Sequence, residues 1–333
     1  MKVVFFHRKR FDGTYSLEGY FNTIRNVISP DIECVVAESK FQNRGLFKRI
    51  LNIIEAAFRQ GDINHITGDV HILCYLLRKN HTLLTILDCV FAQSTKGFKY
   101  KVLRFFWYVL PENRVSCISV ISQSTKNELL KIISCNPDKI KVIPVCVSPH
   151  FIYNQKLFNS TNPVILQVGT GKTKNLFRLF EALEGIPCRL DIIGKLSAEQ
   201  NKVLYQYGIN YRNSWNLSDP EIVSRYNECD IVTLISTYEG FGMPILEGNA
   251  VGRVVVTSNI FSMPEVAGDA ACMVNPYDIN EIRTGIRRVI EDNNYRTELI
   301  QNGVRNVRRF NPEIIARQYI NIYNDLYHGR KCW

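Results

Sequence analysis

The sequence predicts an α/β protein made of two Rossmann-like, doubly wound parallel-sheet domains facing across a cleft. Short apolar, β-branched runs alternate with longer helical patterns from one end to the other, and Gly, Pro, Asp or Ser bound most of the runs. A polar, two-proline stretch, Ser148–Pro163, has no sustained period and divides the chain nearly in half. The length of 333 residues suits two domains, at about 100–200 residues each.

Taken in order, the strands of the first half are expected at Val3–Phe6, Glu33–Val36, Ile63–Thr67, Leu83–Leu87, Cys117–Ile121 and Lys141–Pro144. Those of the second half are expected at Val164–Val168, Arg189–Ile193, Ile231–Ile235, Arg253–Thr257 and Ala271–Val274. The division is then a first domain over 1–150, a linker over 151–163, a second domain over 164–310 and a final helix within 311–333. Asn311-Pro312 is a cap followed by proline at the first helical position. Ile315, Tyr319, Ile322, Tyr323 and Leu326 follow on one stripe, which packs back toward the first domain. No internal repeat is evident.

Hydrophobic residues make up 46% and charged residues 22%, with 19 Gly and 12 Pro, which excludes disordered, collagen-like and low-complexity classes. Ten cysteines are spread without a Cys-x-x-Cys pair, as small buried hydrophobes of a reducing compartment. MKVVFFHRKR is too short for a signal-peptide core, and no apolar run approaches the ~20 residues of a spanning helix. The expectation is a cytoplasmic protein, peripheral at most to the inner face of a membrane.

The net charge of +10 implies a negatively charged partner: nucleic acid, an anionic membrane or a phosphate-bearing substrate. Residues 1–155 hold 21 Lys/Arg and 12 Asp/Glu, and the remainder 20 and 19. Two basic and apolar stretches stand out there, Lys40–Arg59 and Lys96–Leu110. The first sets Arg44, Lys48 and Arg49 beside Phe47, Ile50, Ile54 and Phe58. The second sets Lys96, Lys99, Lys101 and Arg104 ahead of Phe105, Phe106, Trp107 and Tyr108. They read either as interfacial helices on an anionic membrane or as core helices with solvated basic ends. No nucleic-acid module is evident.

The chemistry concentrates after the strand at Ile231–Ile235, in STYEGFGMPILEGNAVG. Gly240 and Gly242 permit a tight turn with N–H groups close to a ligand, and Pro244 suits the first turn of the helix that follows. Strand, glycine turn and helix N-terminus form an anion site for a diphosphate. Glu247, in the helix's first turn, is able to accept hydrogen bonds from vicinal ribose hydroxyls, and Glu239 sits in the turn itself. The plain alternative is a solvated Glu, a cap and a core helix.

The segment EGFGMPILEGNAVGRVVVTSNIFSMPEVAGDAACMVNP resembles the retaining GT-B glycosyltransferases of family four, the glycosyl transferases group 1. VGTGKTKNLFRLFEAL, DIIGK and LSDPEIVSRYNECDIV extend the resemblance over the second half. GDINHITGDVH, LLTILDCV, ISVISQSTKNELL and DKIKVIPV carry a weaker one in the first. It implies transfer of a hexosyl residue from a GDP- or UDP-linked sugar to a glycan or polyprenyl-linked saccharide, with retention and without a metal, in O-antigen or capsule synthesis. No other cofactor is implied, and nucleic acid is not.

The resemblance assigns Glu239 to the transferred sugar and Glu247 to the ribose, with Gly240, Phe241, Gly242 and Met243 at the diphosphate and sugar. Lys174 matches the family's phosphate-binding Lys. The usual Arg position after Gly169 is Thr170, with Lys172 as a substitute charge; Gly194 of DIIGK completes the donor set. Cations there stabilise the departing diphosphate. Gly13 corresponds to the family's glycine-rich turn under the donor, with Tyr15, Ser16, His65 and His71 as acceptor-side contacts. Where many members have His-Asp, this chain has Leu87-Asp88, so Asp88 remains the catalytic candidate on that side. No Asp-x-Asp occurs, and no His/Cys cluster has metal spacing. Two rivals share the fold: a catalytically silent nucleotide-sugar-binding subunit, suggested by Leu87 and Thr170, and a nucleotide-sugar 2-epimerase.

Overall fold

The computed structural model of the chain describes residues 1–9, 16–43, 45–90 and 97–331. They form two compact units, one of Met1–Cys146 with Pro312–Trp333 and the other of Val147–Asn311.

The first unit holds a parallel sheet of β1 (Lys2–His7), β2 (Glu33–Glu38), β3 (Ile63–Thr67), β4 (Thr82–Ile86), β5 (Cys117–Val120) and β6 (Ile140–Val142), in the order β2-β1-β3-β4-β5-β6. β3, β4 and β5 are buried along their whole length, as expected of strands covered by helices on both faces. The second unit repeats the plan with β7 (Val164–Val168), β8 (Arg189–Ile193), β9 (Tyr211–Ser214), β10 (Ile231–Leu234), β11 (Val254–Ser258) and β12 (Cys272–Val274), in the order β12-β11-β10-β7-β8-β9. In each sheet the order reverses beside the first strand, which places loops at the carboxyl ends of β7 and β10 next to each other.

Eleven strands lie within about two residues of the sequence-predicted positions; β9 is the exception. Its sequence, YRNS, has no apolar alternation because it forms a sheet edge, held by Arg212 against the buried Asp191 carboxylate of β8. The expected linker over 151–163 is a correction. The stretch belongs to the second unit, strapped down by buried Asp230, whose carboxylate binds Lys156 and accepts from the N–H groups of Asn159 (3.2 Å) and Val164 (2.8 Å). Arg253 adds a bond to the Asn154 carbonyl at 2.7 Å.

The helix Pro312–Tyr327 returns to the first unit and buries Ile315, Ala316, Tyr319, Ile322, Tyr323 and Leu326. Its hold is partly polar. The Tyr319 and Tyr20 hydroxyls are 3.2 Å apart, and the Tyr323 hydroxyl meets His65 Nδ1 at 2.8 Å. His65 Nε2 meets Thr85 Oγ1 at 2.7 Å, so both ring nitrogens are engaged. Burial, with His7 and Arg25 nearby, holds His65 well below its usual pKa and keeps it neutral. Among the described residues no helix is long and apolar enough to cross a membrane.

Tyr323→Phe removes a partner from a fully buried imidazole nitrogen. The unfolding transition of the first unit is expected to lose about 1–3 kcal/mol in a urea titration, while the second unit's transition stays in place.

Candidate donor-binding site of the second unit

The site begins at the end of β7. Gly169 has φ 87°, and a Cβ there would lie 2.8 Å from Lys174 Cε. That φ favours glycine, which also leaves the Lys174 stem room to lie across the turn. A single 3-10 turn, Lys172–Lys174, ends at Asn175 in the left-handed region (φ 57°), whose side-chain amide donates to the Pro276 carbonyl at 2.7 Å. Lys172 is exposed.

The second loop follows β10. Lys174 Nζ donates to Glu239 Oε1 at 2.7 Å, and Ser236 Oγ donates to the same oxygen at 2.6 Å. Lys174 and Glu239 keep 21% and 17% of their side-chain surface exposed, enough for a ligand to reach them. The two loops are also joined through the backbone, where Thr237 N–H donates to the Thr173 carbonyl at 2.8 Å. Ser262, fully buried after β11, donates to the carbonyls of Glu239 (3.0 Å) and Phe241 (2.7 Å) and sets the path of the turn. Beside it Phe261 has φ 55°, a costly conformation for a bulky residue, with its ring 5.0 Å from that of Tyr238.

Gly242, at φ 113°, opens the helix Met243–Ala250, with Pro244 at the second position. Ile245, Leu246 and Ala250 are buried, and Gly248 sits tightly against Val232 and Val255. Glu247 is the fifth residue of this helix, one turn later than expected. The Tyr226 hydroxyl donates to its carboxylate. Burial raises the Glu247 pKa to about 7; the Tyr226 bond and the Lys174 charge pull it down and Asp219 pushes it up. A carboxyl poised there changes charge near neutrality.

Three expected residues have other partners. Thr170 donates from its hydroxyl to the Lys195 carbonyl at 2.8 Å and brings no charge to the loop. Gly194, at φ 135°, makes room for it, since a Cβ would stand 2.9 Å from Thr170 Cγ2. The Phe241 ring is buried against Phe310, which leaves its backbone as the part beside the turn. Gly240 and Met243 are partly exposed on either side of Gly242.

On the first unit the acceptor assignments of His65 and His71 are corrected. His65 is a β3 residue without exposed surface, not a loop residue. His71 is buried, and its Nδ1–H donates to the Trp107 carbonyl at 2.8 Å. Neither imidazole presents an edge to a ligand. Asp88 is half-buried just beyond β4 and accepts from the Val90 N–H at 3.1 Å. Gly13 and Tyr15 lie outside the described residues, as does the side chain of Ser16, although the helix Ser16–Val27 begins there.

The family model described as glycosyl transferases group 1 matches residues 150–306. That is the unit just described. The second unit is a glycosyl transferases group 1 domain.

Relatives of this group 1 domain include O-antigen chain mannosyltransferase B of Escherichia coli, 26% identical over 62% of this chain and 60% of that one. Another is the MMP alpha-(1->4)-mannosyltransferase of Mycolicibacterium hassiacum, 24% identical over 67% of this chain and 58% of that one. The matched stretches thus span about three fifths of those two proteins. Among solved structures, Anabaena HepE in complex with UDP and glucose superposes with TM-score 0.78 at 15% identity, covering 98% of this chain and 100% of that one. WaaG, a glycosyltransferase involved in lipopolysaccharide biosynthesis, gives 0.74 at 14%, covering 96% and 99%. At such identities the likeness shows the fold, which is GT-B.

Sequence reasoning missed Tyr226, Ser236 and Ser262. Each flanks or falls within a motif segment, SRYNECDIV, STYEGFG or SNIFSMPEV, but what each does depends on which carbonyl or carboxylate the fold brings to it.

A carboxyl raised from 4.5 to about 7 binds its proton more tightly in the folded group 1 domain. Its stabilising contribution is complete below the unfolded value and is lost as pH rises through the folded one. The urea midpoint of this domain is expected to fall between those two values and then level off. Glu247→Gln should flatten that segment of the profile.

Proposed function

We propose that the protein is a glycosyltransferase that moves a hexosyl residue from a nucleotide-sugar donor to a saccharide acceptor, with retention of anomeric configuration and without a metal ion. The observation that carries this reading is the Lys174–Glu239 pair across two adjacent strand ends, one turn from a glycine-started helix that holds Glu247. A cation and backbone N–H groups beside the diphosphate stabilise the charge that grows on the leaving group. Lys172, exposed on the same turn as Lys174, supplies the second positive charge where Thr170 has none. These donors do the work that a carboxylate-bound metal does elsewhere.

Glu239 would meet the transferred sugar and Glu247 the ribose, whose vicinal hydroxyls donate to the carboxylate. Asp88, at a strand's carboxyl end, is the acceptor-side candidate, acting on an acceptor hydroxyl or on developing oxocarbenium charge. In a retaining front-face path the bond from the anomeric carbon to the leaving phosphate breaks, and the acceptor oxygen bonds on the same face. The departing phosphate takes the acceptor proton, so no imidazole is required at Leu87. The names of the O-antigen and MMP relatives favour mannose as the sugar. A "Capsular polysaccharide biosynthesis glycosyltransferase CapM" of Staphylococcus aureus and a diphospho-undecaprenol N-acetylgalactosaminyltransferase of Campylobacter jejuni favour a cell-surface polysaccharide and a polyprenyl-linked acceptor. Such an acceptor sets the work at a membrane's inner face. The base stays open between GDP and UDP.

Leu87 and Thr170 favour one second reading, a nucleotide-sugar-binding subunit without turnover. Thermal stabilisation by GDP-mannose, UDP-glucose and UDP-N-acetylglucosamine, followed by turnover of whichever binds, separates the two. Turnover is expected. Binding with no transfer or hydrolysis for every donor and acceptor tried would establish the silent subunit instead.

Glu239→Gln and Lys174→Ala are expected to lower kcat by about 10²–10³. Glu247→Ala should act mainly on donor stabilisation, weakening it at least about tenfold. Unchanged stabilisation in Glu247→Ala would remove the ribose assignment.

A further inference from the structure

The first unit leaves two neighbouring helical faces apolar and open to solvent. Along Leu46–Phe58 the exposed apolar residues are Leu46, Phe47, Ile50, Ile54 and Phe58, the last 87% exposed. Steps of four, with Phe47 and Phe58 eleven apart, put all five on one side of the helix. The opposite side carries buried Asn52 and Ala56. A helix on a globular surface ordinarily turns its apolar stripe inward; here much of it faces out.

The segment Gly97–Val109 repeats the pattern. Phe98 (81%), Val102, Phe105 and Phe106 are exposed, while Trp107 and Tyr108 are buried. Five residues in π geometry, Phe105–Val109, adjust which side chains turn in and which turn out. The two elements are neighbours. Arg49 Cζ stands 5.1 Å from the centre of the Trp107 ring, and both elements pack on the turn His71–Leu76, whose Leu76 is also exposed.

Charge distinguishes the possible occupants. Lys40, Lys48, Lys101 and Arg104 are exposed around these faces. Glu55, the acidic residue of Leu46–Phe58, is engaged with Arg59 at 2.9 Å and the Lys40 N–H at 3.1 Å, and Glu112, on the helix Leu110–Arg114 that follows the second segment, with buried Lys139 at 2.6 Å. By sequence, the first unit holds 24 Lys/Arg against 14 Asp/Glu, and the second unit 17 of each. The whole net charge therefore belongs to the unit that bears the apolar faces. A second copy docked face to face would set these basic groups against themselves. An anionic bilayer accepts both components, basic groups on head groups and aromatic or aliphatic side chains just below.

We propose that this face of the first unit docks on the surface of an anionic phospholipid bilayer. Leu46, Phe47, Ile54, Phe58, Phe98 and Phe106 enter the interface, with Lys48, Lys101 and Arg104 on lipid phosphates. The inference goes beyond glycosyl transfer and is tested apart from it, because vesicle binding requires no donor.

The test is co-flotation of the whole chain with vesicles of phosphatidylglycerol and phosphatidylethanolamine in equal parts, against phosphatidylcholine vesicles. Binding is expected at least about tenfold tighter to the anionic vesicles. Phe47→Ser with Phe106→Ser should weaken it about tenfold or more. Lys48→Ala with Lys101→Ala should reduce its salt dependence. All four positions are exposed, so melting temperature and donor stabilisation should be unchanged in these variants. Absence of anionic-vesicle binding, or equal binding by the Ser variant, overturns the proposal. So does a dimer, seen by sedimentation and abolished in the Ser variant, without vesicle binding. Loss of donor stabilisation in wild type alone would count against the transferase reading and leave this one standing.

Discussion

The bond between Lys174 and Glu239 ties together the two loops on which the rest of the second unit's site depends. One loop leaves β7 and the other leaves β10. The ion pair, reinforced by Ser236 on the same carboxylate oxygen and by the Thr237–Thr173 backbone bond, makes them one surface. Gly169 leaves room for the pair, since a Cβ there would crowd the Lys174 stem where it crosses the turn. A charge pair at roughly one-fifth exposure contributes little to stability on its own. Its value is positional. It keeps an ammonium and a carboxylate in register at strand ends where parallel sheets bind ligands.

Glu247 extends the same logic through a different balance. Its helix is packed so closely between β10 and β11 that glycine occupies position 248, and the carboxyl therefore sits over a buried surface. Desolvation disfavours its charge, while the Tyr226 hydroxyl and the Lys174 ammonium restore part of it. Tyr226 is itself completely buried, so its hydroxyl has been placed for this contact and not for solvent. Lys174 thus acts on both carboxylates at once, directly on Glu239 and through space on Glu247.

Much of this was legible in the sequence, for identifiable reasons. Central strands such as Val164–Val168 and Ile231–Leu234 are largely apolar because both faces are covered, and their glycine-bearing loops carry the turn chemistry that identifies strand ends. β9 was not legible, because an edge strand reading YRNS is fixed by the Arg212–Asp191 pair and not by a pattern of its own. His65 and His71 misled for a related reason. A histidine near a glycine turn looks like a ligand until tertiary structure supplies Tyr323, Thr85 and the Trp107 carbonyl as partners. The Ser148–Pro163 stretch resembled a linker because its anchor, Asp230, lies some seventy residues away in sequence. Residues whose role is decided by a distant partner are those that local pattern misses.

The distribution of charge completes the argument. A strongly basic chain suggests a protein whose ligand site is bathed in positive potential. The second unit, which bears the lysine and glutamate loops, is instead neutral by sequence, with 17 charges of each sign. In the proposed transferase, a diphosphate would be held by a few groups at contact distance: Lys174, Lys172 and the N–H groups at Gly242. Such groups act strongly where water is partly excluded and weakly elsewhere. The first unit shows the opposite design, with a diffuse basic surface spread around solvent-facing apolar helices. Long-range attraction, which falls off over about a Debye length, suits a broad charged surface better than a single small ligand. The excess charge that marks this sequence therefore lies in the first unit, where the proposed bilayer contact would use it, and the proposed phosphate chemistry of the second unit would rest on local geometry.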